Sequence, residues 1–119
     1  MGENRGVGLD LQLLIYGPRD KRTRRRSLQR LGFYVDEDRA FESAVDRERE
    51  LARTSTRLPM ITRLDLYGST VLRSADMEQF AAEVQGLAGD AHPTYLEPIL
   101  ALATLCASTS SSELHIDGD

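Results

Sequence analysis

The chain has 119 residues and a net charge of −4; 40% of its side chains are apolar, 29% are charged, Trp is absent and Cys106 is the one cysteine. That size suits one compact domain around a single core of Leu, Ile, Val and Ala. A single cysteine excludes an internal disulfide and a multi-cysteine zinc site, and no apolar run reaches the length of a membrane span.

Val7, Leu9, Leu11, Leu13 and Ile15 alternate with Gly8, Asp10, Gln12, Leu14 and Tyr16. A period of two predicts a half-buried strand with its odd residues on the core. Gly17-Pro18 is expected to end it, because proline cannot donate to a strand ladder. The run RDKRTRRR follows, with six basic residues among the eight from Arg19 to Arg26. It reads as a basic loop over residues 17–27. Residues 1–6 read as a mobile N-terminus without the apolar segment of a secretory signal.

In SLQRLGFYVDEDRAF, Leu28 and Leu31 are one helical turn apart and Gly32 suits a C-terminal cap. A short helix fits; so does a brief strand through Phe33 and Val35. Residues 38–53 form an amphipathic helix, with Phe41, Ala44, Val45, Leu51 and Ala52 toward one side and Glu48 in the intervening turn. Asp36, Glu37 and Asp38 precede it, where the helix dipole favours negative charge. RTSTRLP is a polar connection.

MITRLDLY, residues 60–67, alternates again and predicts a second strand, with Gly68 turning the chain. Ser74 is a natural N-cap for a helix over 75–87 that buries Met77, Phe80, Ala81, Val84, Leu87 and Ala88. Thr94 and Glu97 match a capping box. ILALATLCA is apolar almost all round, as in a helix buried on most sides or set in an oligomer interface. ELHIDGD reads as a short final strand, with Leu114 and Ile116 inward.

The expected fold is α+β: a small mixed sheet of three or four strands with about three helices packed on one face. The period-two strands leave the other face open to solvent. It should display Asp10, Gln12, Tyr16, Arg63, Asp65, Tyr67, His115 and Asp117.

Charge is divided unevenly along the chain. Residues 1–73 carry all fifteen basic and eleven acidic side chains, a net of +4, whereas residues 74–119 carry eight acidic and no Lys or Arg. Such a split points to internal complementarity or to a charged partner. The function expected is therefore non-catalytic protein recognition, immunity- or adaptor-like, in the cytoplasm of a bacterium. The partner is another protein, with a basic protein and a homodimer both fitting. Arg19, Lys21, Arg22, Arg24, Arg25, Arg26, Asp65 and Tyr67 are the candidate contact residues.

Nucleic-acid binding through Arg19–Arg26 is the alternative. It is weakened by the acidic chain and by the lack of an aromatic residue among the arginines to stack bases. A metal-dependent enzyme comes third. His115 and Asp117 share a strand face and are weak metal ligands by themselves. No cofactor motif is present. Cys106 on an apolar helix reads as a core residue, and the serines at 108–112 lack a nucleophile-elbow pattern.

Overall fold

Where the alternation is strongest, the strand forms. In the computed structural model, residues 8–19, 21–22, 26–52 and 57–118 are described. The expectations for residues 1–6, for Arg24 and Arg25 and for residues 53–56 of the 53–59 connection lie outside them. Strand β1 (Asp10–Arg19) buries Leu11 and Leu13 completely, with Leu9 just before it. It continues through Gly17-Pro18 instead of stopping there. The β1–β2 register is irregular between Tyr16 and Arg19, and a bulge of that kind is where a strand accommodates proline.

Residues 26–35 are a ten-residue strand, β2 (Arg26–Val35), and not a helix. Pairing with β1 overrides the weak helical spacing of Leu28 and Leu31. Of the basic loop expected over 17–27, residues 17–19 and 26–27 are strand, with Arg19 opposite Arg26, and Lys21 and Arg22 are in a turn. A second bulge pairs Leu13 with Gly32 and Leu14 with Arg30. The extra residue, Leu31, packs against the core.

Helix α1 (Ala40–Leu51) buries Phe41, Ala44, Val45 and Glu48. Its start is tied down by Asp36, which is fully buried. The Asp36 carboxylate accepts hydrogen bonds from the backbone N–H of Phe41 (3.0 Å), Glu42 (2.9 Å) and Leu9 (3.2 Å). Glu48 is held by Arg57, whose Nε and Nη2 donate to its two carboxylate oxygens at 3.1 Å each.

The strand expected at 60–67 does not form. Pro59–Thr62 is a one-turn helix, α2, followed by turns through Gly68. Pro59 presets the first turn. Buried Glu83 then accepts the Met60 N–H at 2.8 Å and the Ile61 N–H at 3.1 Å, capping that turn from another helix. Leu64 and Leu66 are buried, from a turn and not from a strand. The strand lies further on, as β3 (Ser69–Arg73).

A 3₁₀ turn (Ser74–Asp76) leads into α3 (Met77–Ala88), and Gly89 closes that helix at φ 63°. Ser74 is not the cap. Its hydroxyl donates to the carbonyls of Cys106 (2.8 Å) and Thr109 (3.0 Å), while the Asp76 carboxylate accepts the Arg73 N–H at 2.9 Å. Helix α4 (Leu96–Ala107) has Tyr95 at its cap, and Thr94 turns to Asp38 at 3.3 Å instead of closing a capping box. It buries Ile99, Leu102, Ala103 and Cys106 and leaves Ala101, Thr104 and Leu105 exposed. Its neighbour in the sheet is Gly32, where an added Cβ would lie 2.8 Å from Leu102 Cδ2.

Strand β4 (Ser112–Asp117) buries Leu114 and Ile116, as the alternation predicted, and Ser112 with them. The sheet order is β2-β1-β4-β3. Every pairing is antiparallel, so the four-stranded sheet has no parallel part. The molecule is one α+β domain whose inner sheet face joins α1, α3 and α4 in a single core. No helix among the described residues is long and apolar enough to cross a membrane.

Candidate functional site: the open face of the sheet

Side chains directly opposite each other in an antiparallel pair share a sheet face. The registers therefore order the face away from the helices into rows running β2 to β3. At one end lie Val35, Asp10, Asp117 and Ser69. Phe33, Gln12, His115 and Val71 come next, then Arg30, Leu14, Glu113 and Arg73. Leu28 and Tyr16 form the last row. Beyond the Ile15–Ser112 pair, β1 and β2 continue alone as a two-stranded ribbon toward the exposed turn residues Lys21 and Arg22.

The face carries more apolar surface than expected. Phe33 is 57% exposed, Leu28 52%, Val71 45% and Val35 37%. The Arg30 guanidinium stands 4.6 Å from the centroid of the Phe33 ring, a cation–π contact. Alternation by itself does not reveal this group, because Phe33, Leu28 and Val35 come from a stretch whose helix-or-strand reading was open.

A polar network crosses the face beside them. Glu113 accepts hydrogen bonds from the Tyr16 hydroxyl (2.9 Å) and His115 Nε2 (3.1 Å), and Arg73 Nε lies 3.5 Å away. Burial raises the Glu113 pKa, but the hydrogen bonds from His115, Tyr16 and Arg73 outweigh it and hold the carboxyl below its ordinary value. The carboxylate is therefore ionised at neutral pH. Next to this network, Tyr16, Arg73, Ser74, Ser111 and Ser112 line a shallow hollow.

Of the eight residues expected on this face, Asp10, Gln12, Tyr16, His115 and Asp117 are there. Arg63, Asp65 and Tyr67 are not, because their segment is a turn. Asp65 accepts the Tyr67 N–H at 2.9 Å and receives no place on the sheet. Tyr67 is exposed on that turn. Of the basic candidates, Lys21 and Arg22 occupy the exposed hairpin turn, Arg19 and Arg26 are opposite each other in the ribbon, and Arg24 and Arg25 lie outside the described residues.

His115 and Asp117 share the open face, but they turn to different partners. Asp117 Oδ1 accepts from Ser69 Oγ at 2.5 Å, and His115 bonds Glu113. Among the described residues no three His, Cys, Asp or Glu side chains come together as a metal site. Cys106 is fully buried on the helix side of the sheet, opposite the face of His115, so the two cannot act as a pair. The serine cluster closes the end of α4: the Ser112 hydroxyl donates to Thr109 O at 2.6 Å and joins Ser74 there.

A second concavity runs between α3 and α4, lined by Ala81, Ala103, Thr104 and Ala107 with Glu78 at its edge. It offers small side chains and no pair of titratable groups. No protein-family model, no curated protein and no solved structure matches the chain.

Proposed function

We propose that this protein is a non-catalytic recognition module, immunity- or adaptor-like, that binds another protein through the open face of its sheet. The observation that supports this most is the exposed group Leu28, Phe33, Val35 and Val71 on one face. Burying such side chains is favourable by about 25 cal/mol per Å² of apolar surface, and exposed apolar patches rimmed by charge mark protein contacts. Around them, Arg30, Arg73, Glu113, Asp10 and Asp117 supply the charged rim that selects a partner and sets its orientation.

A photo-crosslinking residue at position 33, with the same residue at Thr104 on the helix side as control, tests this reading. Discrete crosslinks to protein from position 33 and none from position 104 are expected. Equal labelling from both positions, or none from either, would overturn it.

A second reading is favoured by the Arg30–Phe33 contact beside the basic hairpin: an aromatic ring, a guanidinium and a cationic turn are what a single-stranded nucleic acid uses. Three carboxylates on the same face, Asp10, Glu113 and Asp117, oppose phosphate, and for that reason protein recognition is preferred. Salt-dependent binding of single-stranded RNA or DNA, abolished by Lys21→Gln with Arg22→Gln, would reverse the preference.

A further inference from the structure

Apart from Glu113, which pairs with Arg73, the charges on the open face are sorted along the strands. Asp10 and Asp117 are direct cross-strand partners at one end, and exposed Glu37 and Asp38 follow β2 just beyond it. Arg30 and Arg73 lie two rows away, and the ribbon beyond them ends in the turn with Lys21 and Arg22. Phe33 and Val71 lie in the row between, Val35 lies in the acidic row and Leu28 beyond Arg30.

We propose that the occupant of this face is a second copy of the chain, docked sheet to sheet with the strands of the two copies running in opposite directions. This rests on the reading of the open face as a protein-docking surface and names its partner. A two-fold interface requires a self-complementary patch. Two such arrangements exist for stacked sheets. A two-fold axis along the strands sets the acidic end over the acidic end and hairpin over hairpin. An axis across the strands sets each acidic end toward the partner's basic ribbon, and electrostatics selects this one.

The rows also match in that orientation. With the first row over the last and the second over the third, Val35 meets Leu28 of the partner subunit, Phe33 meets Arg30 of the partner subunit, and His115 meets Glu113 of the partner subunit. The hairpin turn of each copy then overhangs the Glu37–Asp38 loop of the other. Stacked sheets sit about 10 Å apart, a spacing these side chains fill. Four strands of six residues give a footprint of about 19 Å by about 20 Å, smaller than the roughly 800 Å² per partner of a standard interface. The dimer is accordingly weak and reversible.

Sedimentation equilibrium of the full chain from roughly 1 to 500 μM tests this, because a weak dimer dissociates within that range. A monomer–dimer equilibrium that weakens with added salt is expected. Phe33→Asp should raise the dissociation constant about 30-fold, the scale of a lost central contact, with an unchanged melting temperature showing that the fold persists. Glu37→Lys with Asp38→Lys should weaken the dimer about tenfold. Adding Lys21→Glu and Arg22→Glu to that same chain should restore it, because only the antiparallel arrangement brings the two loops together. A chain that stays monomeric, a dimer insensitive to Phe33→Asp, or a charge exchange that fails to rescue overturns the proposal. If the chain is monomeric but position 33 still crosslinks a different protein, self-docking falls and protein recognition stands. If position 33 crosslinks nothing, both fall.

Discussion

Arg30 covers the Phe33 ring at 4.6 Å, yet that ring remains 57% exposed. The contact shields one part of an aromatic side chain that nothing in the domain buries. Stability and association are therefore separable here. Phe33→Ala should change the folding free energy by about 0.5 kcal/mol or less, as surface substitutions do, while removing most of the binding measured at the open face. Thermal denaturation alongside the crosslinking assay checks both halves.

Asp36 anchors two elements at once. Replacing it with Ala leaves the N–H groups of Phe41, Glu42 and Leu9 without their acceptor. Lost capping together with buried unsatisfied donors should cost about 3 kcal/mol. For a chain of this size that is about 12 °C in Tm. Asp36→Asn keeps an acceptor oxygen and should lose roughly a third as much. Calorimetry of the two variants distinguishes a capping role from a bulk charge effect.

The Glu48–Arg57 pair joins α1 to the segment before α2. Glu48 is buried and Arg57 is more than half exposed. Arg57→Ala leaves a carboxylate without its bidentate partner, and about 2 kcal/mol of destabilisation is expected, below the range for a fully buried pair because water reaches the site. Glu48→Gln with Arg57→Ala should recover part of the loss. A double-mutant cycle by urea denaturation measures the coupling.

Glu113 predicts an acid limb in the stability profile. Its folded pKa lies below the ordinary 4.5. A depressed carboxyl contributes stability that is fully present above the unfolded value and is lost as pH falls through the folded one. The wild-type chain should therefore lose stability below about pH 4.5 more steeply than Glu113→Gln. Urea denaturation at several pH values between neutral and acid reads the difference.

At Gly32, an added Cβ would meet Leu102 at 2.8 Å. Gly32→Ala should be met by a shift of the Leu102 side chain and cost about 1 kcal/mol, the low end of overpacking. Leu102→Ala in the same chain removes the clash, so the two losses should be less than additive. Calorimetry of the single and double variants checks this.

The amino-acid pattern alone determined what repeats along the chain. Alternation in residues 9–15 and 113–117 placed two central strands with the correct side inward, and helical spacing placed Phe41, Val45, Phe80, Val84 and the apolar helix ending near Cys106. These are local periodicities read against one buried face, so they need no knowledge of neighbours. The tertiary structure decided where pattern was ambiguous or partners were distant. Residues 26–35 became a strand because β1 offered a ladder. Residues 59–62 became a helical turn because Glu83, far along the chain, caps it. The open face followed from both, and with it the place of the basic run. Arg19 pairs with Arg26 toward one end of that face, with Asp10 and Asp117 at the other. Strand pairing sets which charges share a surface, and pairing is a long-range choice that neither composition nor spacing contains.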